Sequence, residues 1–164
     1  MEPPPRESRP SRLVTVLNES RRRVRHEPLQ RAVSVALSRR GLIEAPVCLL
    51  LTTDERIQAL NREFRRVDEP TDVLTFPSGD EPPEHIGDVA ISVPYARRQA
   101  AARGVSMEQE LAYLAIHGAL HLAGLNDESE AERAEMVTEM NLIAVAAGFP
   151  PDGEWCSILH EEGE

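Results

Sequence analysis

Lysine is absent from this chain of 164 residues, and aromatic residues make up only 4% of it. All 18 basic side chains are therefore arginines. With so few aromatic rings, the core must be built from leucine, valine, isoleucine and alanine, and a hydrophobic content of 41% is enough for that. A chain of this length is typical of one domain with a sizeable core.

Long apolar runs are also lacking, since none approaches the roughly 18–20 residues that cross a bilayer. Residues 1–11 have proline at positions 3, 4, 5 and 10 and lack the apolar centre of a signal peptide, so we expect none here. We therefore expect a disordered leader over residues 1–11, a cytoplasmic protein and no membrane partner. Cys48 and Cys156 lack the close spacing of a zinc motif, and two reduced thiols are expected rather than a disulfide.

The net charge of -10 argues against a general nucleic-acid coat, but the charge is unevenly distributed. Residues 1–70 hold fourteen arginines against ten acids, whereas residues 71–164 hold four against eighteen. Because the guanidinium group is planar and suits phosphate, a local phosphate-binding face in the first half stays open. The alternative is that the preference for arginine over lysine reflects genome composition.

Hydrophobic periodicity predicts an α+β fold, a single domain with a mixed sheet of about four strands and about five helices. The predicted strands cover residues 13–17, 47–51, 72–76 and 88–93. The predicted helices cover residues 28–40, 54–64, 94–103, 107–122 and 129–147. The domain is expected to span residues 12–151, followed by an acidic tail, 152–164, in which Trp155, Ile158 and Leu159 dock weakly.

The strongest chemical signal is the pair His117 and His121 in the helix predicted over residues 107–122. Residues at positions i and i+4 of a helix project from the same face, so both imidazoles can reach one metal ion. The pair lies beside an apolar stripe of the same helix, which predicts that both histidines face a rim rather than the deepest core. The alternative is two unrelated helical histidines, one with its ring capped and one solvated.

A third ligand is expected from the loop that follows the histidine helix. Asp127 comes six residues after His121, past the turn at Gly124, and Glu128 is its near rival. Three protein ligands with a fourth position open to water are typical of catalytic zinc. The alternative is that both acids belong to the acidic start of the last helix, where carboxylates offset the helix dipole. We do not expect a zinc protease of the usual helical type, because Gly118 occupies the position of its glutamate base.

Three ordered blocks of the sequence resemble the YbeY family, the metal-dependent endoribonucleases also described as rRNA maturation factors. The segment from His117 to Gly124 resembles the family's HGxLHLxG motif. Residues 60–77 are similar to its LNxxFRxxDxPTDVLSFP stretch, with Thr75 in place of the usual serine. Residues 86–92 are similar to its LGDIxIS strand. The blocks lie in the family's order within residues 60–127.

The sequence departs from the family at the end of the metal motif. Family members usually read GYDH there, which gives a third histidine ligand, whereas this chain has Asp127 at that position. A carboxylate is a legitimate zinc ligand, and two histidines with a carboxylate form catalytic sites in other hydrolases. The predicted ligands are therefore His117, His121 and Asp127, holding one Zn²⁺ per chain, although a harder divalent metal also suits this more anionic set.

The resemblance implies hydrolysis of phosphodiester bonds in single-stranded RNA, in ribosomal RNA maturation and ribosome quality control. Ribosomal RNA is then the expected substrate, and the small ribosomal subunit a further partner. Arg65 matches the arginine of the second block and is expected to hold a phosphate oxygen, or else to cap helix carbonyls. Two other functions stay open: a non-catalytic ribosome-assembly factor with a weakened metal site, and a metal-dependent hydrolase of a small molecule.

Overall fold

The computed structural model describes residues 14–42, 46–79 and 86–156. Within these ranges the element order matches the order predicted from periodicity, and most boundaries shift by only one or two residues. The strands are β1 (Val14–Asn18), β2 (Val47–Thr52), β3 (Val73–Pro77) and β4 (Gly87–Ser92). The helices are α1 (His26–Arg39), α2 (Asp54–Arg65), α3 (Val93–Arg103), α4 (Met107–Leu122) and α5 (Glu130–Ala146). The predicted leader lies outside the described residues, and the domain limits at 12, 151 and 152 stay predictions.

The four strands form one mixed sheet in the order β1-β2-β4-β3, which confirms the predicted fold class. β1, β2 and β4 run parallel, and β3 is antiparallel to β4 at one edge. Parallel neighbours need a crossover between them, and α1 supplies it between β1 and β2. None of the helices in these ranges combines the length and hydropathy of a membrane-crossing segment.

Both faces of the sheet are covered, as parallel strands require. Alternate residues of the central strands point to opposite sides because the side-chain period of a strand is two. Leu49 of β2 and Val89 of β4 face the main core, which α1, α4 and α5 complete. Leu74 and Ala90 face the other side, where Ile57 of α2 covers them in a smaller cluster.

α4 lies at the centre of the molecule and contacts α1, α3, α5, β3 and β4. Every residue of α4 from Gln109 to Leu120 is buried. Gly118 allows the closest approach to the sheet, since a Cβ atom there would lie 2.6 Å from Cγ1 of Val89. The helix that carries both histidines is therefore a core helix, held against the sheet along its length.

Candidate metal centre

The histidine helix begins at a conventional cap. The side chain of Ser106 accepts a hydrogen bond of 3.0 Å from the backbone N–H of Gln109, which satisfies one of the free donors of the first turn. The helix ends at Leu122, so His121 lies in its last turn and His117 one turn earlier. The i, i+4 spacing brings the two imidazole rings to a centroid distance of 4.5 Å.

The two histidines differ in burial, and this corrects the prediction that both face a rim. His117 is only 3% exposed, because α4 is enclosed on all sides at that point. Only the side chain of His121, 24% exposed, lies at the rim. The sequence prediction failed because it treated α4 as amphipathic, although α3 and α5 cover the sides that the sheet leaves open.

A sharp turn after α4 returns the chain towards the histidines. Gly124 adopts φ of +100°, a conformation that side chains disfavour, and the N–H of Leu125 donates to the carbonyl of Leu120 at 3.0 Å. Asp127 follows this turn and is 7% exposed. The carboxylate of Asp127 is therefore buried beside the last turn of α4.

Arg133 of α5 holds the returning loop in place. Its guanidinium donates to the backbone carbonyl of Glu128 at 2.9 Å and to that of Asp127 at 3.4 Å. Ser129 and Glu132 form a reciprocal capping box at the start of α5, which fixes where the loop ends. The position of Asp127 is thus set from both sides, by the turn at Gly124 and by the start of α5.

Three potential ligand atoms converge at this point. The Nε2 atom of His121 lies 3.1 Å from Nε2 of His117 and 2.8 Å from Oδ2 of Asp127. Nε2 of His117 lies 3.5 Å from the same Oδ2 atom. Bonds of roughly 2.0–2.1 Å to a tetrahedral zinc ion place ligand atoms about 3.3 Å apart. The three separations bracket that value, so the residues present fit a tetrahedral divalent cation.

The predicted rival ligand does not join this group. Among the described residues, the cluster with metal-ligand spacing consists of His117, His121 and Asp127. Glu128 is exposed, and its backbone carbonyl accepts a hydrogen bond from Arg133. Asp127 and Glu128 both precede α5, which begins at Glu130, so neither lies in the first turn of that helix.

A small cavity of about 40 Å³ adjoins the cluster, and both His117 and Asp127 line it. A cavity of this size has room for a water molecule, which needs roughly 10–15 Å³ by the same measure. Catalytic metal sites need such an open position beside three protein ligands. The rim position of His121 leaves a second approach from solvent.

Arg65 lies outside this cluster, as the last residue of α2, and its side chain is exposed. Within the described ranges it takes part in no hydrogen bond or ion pair with the three ligand residues. Within the same ranges the Arg65 side chain does not cap helix carbonyls either, which was the alternative role. The backbone N–H groups of Arg66 and Val67 donate to the carbonyls near the end of α2 instead. Its guanidinium is therefore available to an external anion.

α2 ends near the end of the sheet where the candidate metal ligands lie, although it packs on the opposite face of the sheet. Phe64 packs edge-on against Phe76 of β3, with ring centroids 5.2 Å apart. Across the sheet, Leu122 at the end of α4 lies against Gly87, the partner of Pro77 in the β3–β4 ladder. The ends of α2 and α4 therefore contact the same end of β3 from opposite faces of the sheet. Arg65 is separated from the histidines by the thickness of the sheet.

Sequence reasoning missed a buried polar group beside the centre. Glu110 of α4 is 1% exposed and accepts hydrogen bonds from Arg103 at 2.7 Å and from the indole of Trp155 at 3.1 Å. Burial raises the pKa of Glu110 to about 7, in spite of the opposing charge of Arg103. In the sequence, the one sign of this buried group was its spacing. Glu110 lies three residues before Tyr113 and seven before His117, so all three share one face of the helix.

Comparison with known proteins agrees on one family. The family profile described as Endoribonuclease YbeY matches residues 16–147. A protein of Shouchella clausii named Endoribonuclease YbeY is 41% identical over 119 residues, covering 65% of this chain and 74% of that protein. A protein of Aquifex aeolicus with the same name is 38% identical over 122 residues, covering 73% of this chain and 81% of that protein.

A solved structure shares the fold. A solution structure of a protein from Thermotoga maritima superposes with a TM-score of 0.60 and 26% sequence identity. The match covers 81% of this chain and 90% of the other.

Proposed function

Because this chain belongs to the YbeY family, we propose that it is an endoribonuclease that cleaves single-stranded RNA during ribosomal RNA maturation and ribosome quality control. We place its work in the cytoplasm, with ribosomal RNA as substrate and the small ribosomal subunit as partner. One zinc ion per chain, held by His117, His121 and Asp127, is the proposed cofactor. The relatives do not favour the two alternative functions, an assembly factor without activity and a hydrolase of a small molecule.

The observation that carries the proposal is the convergence of two imidazole nitrogens and one carboxylate oxygen within 3.5 Å of one another beside a cavity with room for water. His117, His121 and Asp127 would hold a divalent cation there, which would supply the Lewis-acid chemistry that phosphodiester hydrolysis requires.

The residues of the chain prepare the site for that chemistry. His117 is held rigidly because its helix is buried, whereas His121 at the rim leaves a side open to a polynucleotide. Arg133 fixes the loop so that the carboxylate of Asp127 needs no reorganisation before it binds a cation. Arg65 is proposed to neutralise a phosphate of the same strand by a paired contact, further along the substrate.

The test is cleavage of a single-stranded RNA oligonucleotide by protein treated with a chelator and then supplied with zinc. We expect cleavage to stop with the chelator and to return with zinc. His121→Ala should lose stoichiometric metal and cleavage while its circular dichroism spectrum stays that of the parent. His26→Ala, at an exposed histidine of α1, is the matched control and should keep both. Full metal occupancy in the His121→Ala protein would refute the site.

A further inference from the structure

The chain beyond the family match contributes a wall to the metal centre. The match with the family ends at residue 147, yet the following segment, residues 148–156, packs onto the core. Trp155 in this segment is 3% exposed and belongs to the main hydrophobic cluster. It also lines the cavity that His117 and Asp127 line.

The segment is held by several polar contacts. The hydroxyl of Tyr113 lies 2.9 Å from the carbonyl of Pro150, and the side-chain amide of Asn141 donates to the carbonyl of Asp152 at 3.3 Å. Arg103 of α3 pairs with the carboxylate of Asp152 as well as with Glu110. Because these anchors come from three helices, the position of the segment is set by the folded core.

Trp155 lies along the stripe of α4 that leads to the metal ligands. Its indole N–H donates to Glu110 at 3.1 Å, and its ring lies at a centroid distance of 6.2 Å from Tyr113. The same ring lies 5.1 Å from the imidazole of His117. Glu110, Tyr113 and His117 are spaced by three and four residues, so one indole spans two turns of the helix.

We propose that Trp155 is a positioning residue that fixes the imidazole of His117 and thereby raises the affinity of the metal site, with Glu110 holding the indole in place. Hydrogen-bonding partners that orient metal ligands without touching the ion typically contribute 10–100-fold in affinity, and we expect the ring contact of Trp155 to act on a similar scale. This inference rests on the proposed metal site. It adds a contribution from residues that lie past the family match.

The wild-type protein already gives a direct readout, because Trp155 is its only tryptophan. Cobalt(II) absorbs visible light when histidine ligands bind it and quenches a neighbouring indole. We expect the cobalt absorption and the quenching of Trp155 emission to follow one titration curve in the full chain. Binding of cobalt with unchanged Trp155 emission would overturn the positioning role.

Variants separate the ring from its hydrogen bond. Trp155→Ala should weaken cobalt binding by roughly 10–100-fold in a chelator competition. Trp155→Phe keeps an aromatic ring but loses the N–H that donates a hydrogen bond to Glu110. Its affinity for cobalt should therefore fall between those of Trp155→Ala and the parent. Leu142→Ala removes an exposed apolar side chain of α5 and serves as the control with unchanged affinity. Circular dichroism checks that each variant is folded.

The outcomes distinguish this inference from the proposed function. If the parent binds cobalt and folded Trp155→Ala and Trp155→Phe bind it equally well, the positioning role is wrong while the metal site stands. If the parent binds no cobalt, both fail. Should Trp155→Ala not fold, Trp155→Phe and the wild-type titration decide the question between them.

Discussion

Asp127 determines the charge of the proposed metal centre. Two neutral imidazoles and one carboxylate leave a bound divalent cation with a net charge of about +1, whereas three imidazoles leave it at +2. A carboxylate is also a harder ligand than an imidazole, so the site with Asp127 should prefer zinc over manganese or magnesium less strongly than a site with three histidines. The Oδ2 atom of Asp127 lies 2.8 Å from Nε2 of His121, close enough that a change of this side chain would act directly on an ion bound there.

Asp127→His should therefore tighten zinc binding by about tenfold, equivalent to about 1.4 kcal/mol, because it supplies a third imidazole. Asp127→Asn is the matched control, since it keeps the size of the side chain but removes its charge. This variant should bind zinc more weakly than the parent. Competition with a chelator measures both. Zinc affinity that is unchanged in both variants would show that Asp127 is not a ligand.

Gly118 is required by the packing of α4 against the sheet. A methyl group there would lie 2.6 Å from Cγ1 and 3.0 Å from Cγ2 of Val89, a stiff β-branched side chain. Overpacking typically costs 1–3 kcal/mol, while alanine recovers up to about 1 kcal/mol of helix propensity. We expect Gly118→Ala to lower the free energy of unfolding by about 1 kcal/mol, measured by urea denaturation.

A second substitution tests the cause of that loss. Val89→Ala in the Gly118→Ala background should recover part of the lost stability relative to the sum of the two single variants. Gly153→Ala, where a Cβ atom has no neighbour within 4 Å, should leave stability unchanged. Strict additivity of Gly118→Ala and Val89→Ala would mean that the two side chains do not clash.

At the scale of elements, α4 shows what the sequence could and could not predict. Its limits, Met107 and Leu122, follow from the cap at Ser106 and the turn at Gly124, both local signals. The histidine pair follows from helical spacing alone. The burial of His117 and the contact of Trp155 could not be predicted, because they depend on how α3, α5 and the final segment pack around the helix.

The buried pair of Glu110 and Arg103 should make stability depend on pH. Burial, together with the smaller effect of the charges of Asp72 and Asp152, raises the pKa of Glu110 from 4.5 to about 7, although Arg103 and the indole of Trp155 oppose it. The folded protein therefore retains a proton that the unfolded chain loses above about pH 4.5. Stability from this group is present at acidic pH and is lost as pH rises through about 7, by roughly 3 kcal/mol in total.

Glu110→Gln isolates that contribution, because glutamine does not titrate and still offers an oxygen to the indole of Trp155. The free energy of unfolding of the parent, minus that of Glu110→Gln, should fall between pH 4.5 and pH 8. Arg39→Ala, which breaks the exposed pair with Glu139, is the control and should show no such trend. A difference that stays flat, or rises with pH, would mean that Glu110 is ionised throughout.

At the scale of the whole molecule, the protein must bind a polyanion in spite of a net charge of -10. Most of its acids lie in residues 71–164, which include Asp127 and α5, whereas the arginines concentrate in residues 1–70. Long-range steering should therefore be weak, and affinity must come from local contacts. The end of α2 offers three exposed arginines, of which Arg62 pairs with Asp68 at 3.3 Å.

RNA binding should consequently depend on few phosphate contacts. Each contact to a single strand contributes a slope of roughly -0.7 to the logarithm of affinity against the logarithm of salt, so Arg62, Arg65 and Arg66 together predict about -2. Arg65→Ala should reduce the magnitude of that slope by about 0.7, lower the affinity and slow cleavage, while zinc content stays unchanged. Fluorescence anisotropy with a labelled single-stranded oligonucleotide measures the slope.

Arg40→Ala, at an exposed arginine beyond α1, is the matched control for that experiment. It removes the same charge from the side of the sheet opposite α2, so it changes the net charge of the molecule equally. If affinity responds to net charge alone, both variants should bind RNA equally weakly. If it responds to local contacts, only Arg65→Ala should reduce the slope. Equal slopes in the parent and in Arg65→Ala would remove Arg65 from the RNA-binding surface and leave the metal centre without its proposed phosphate anchor.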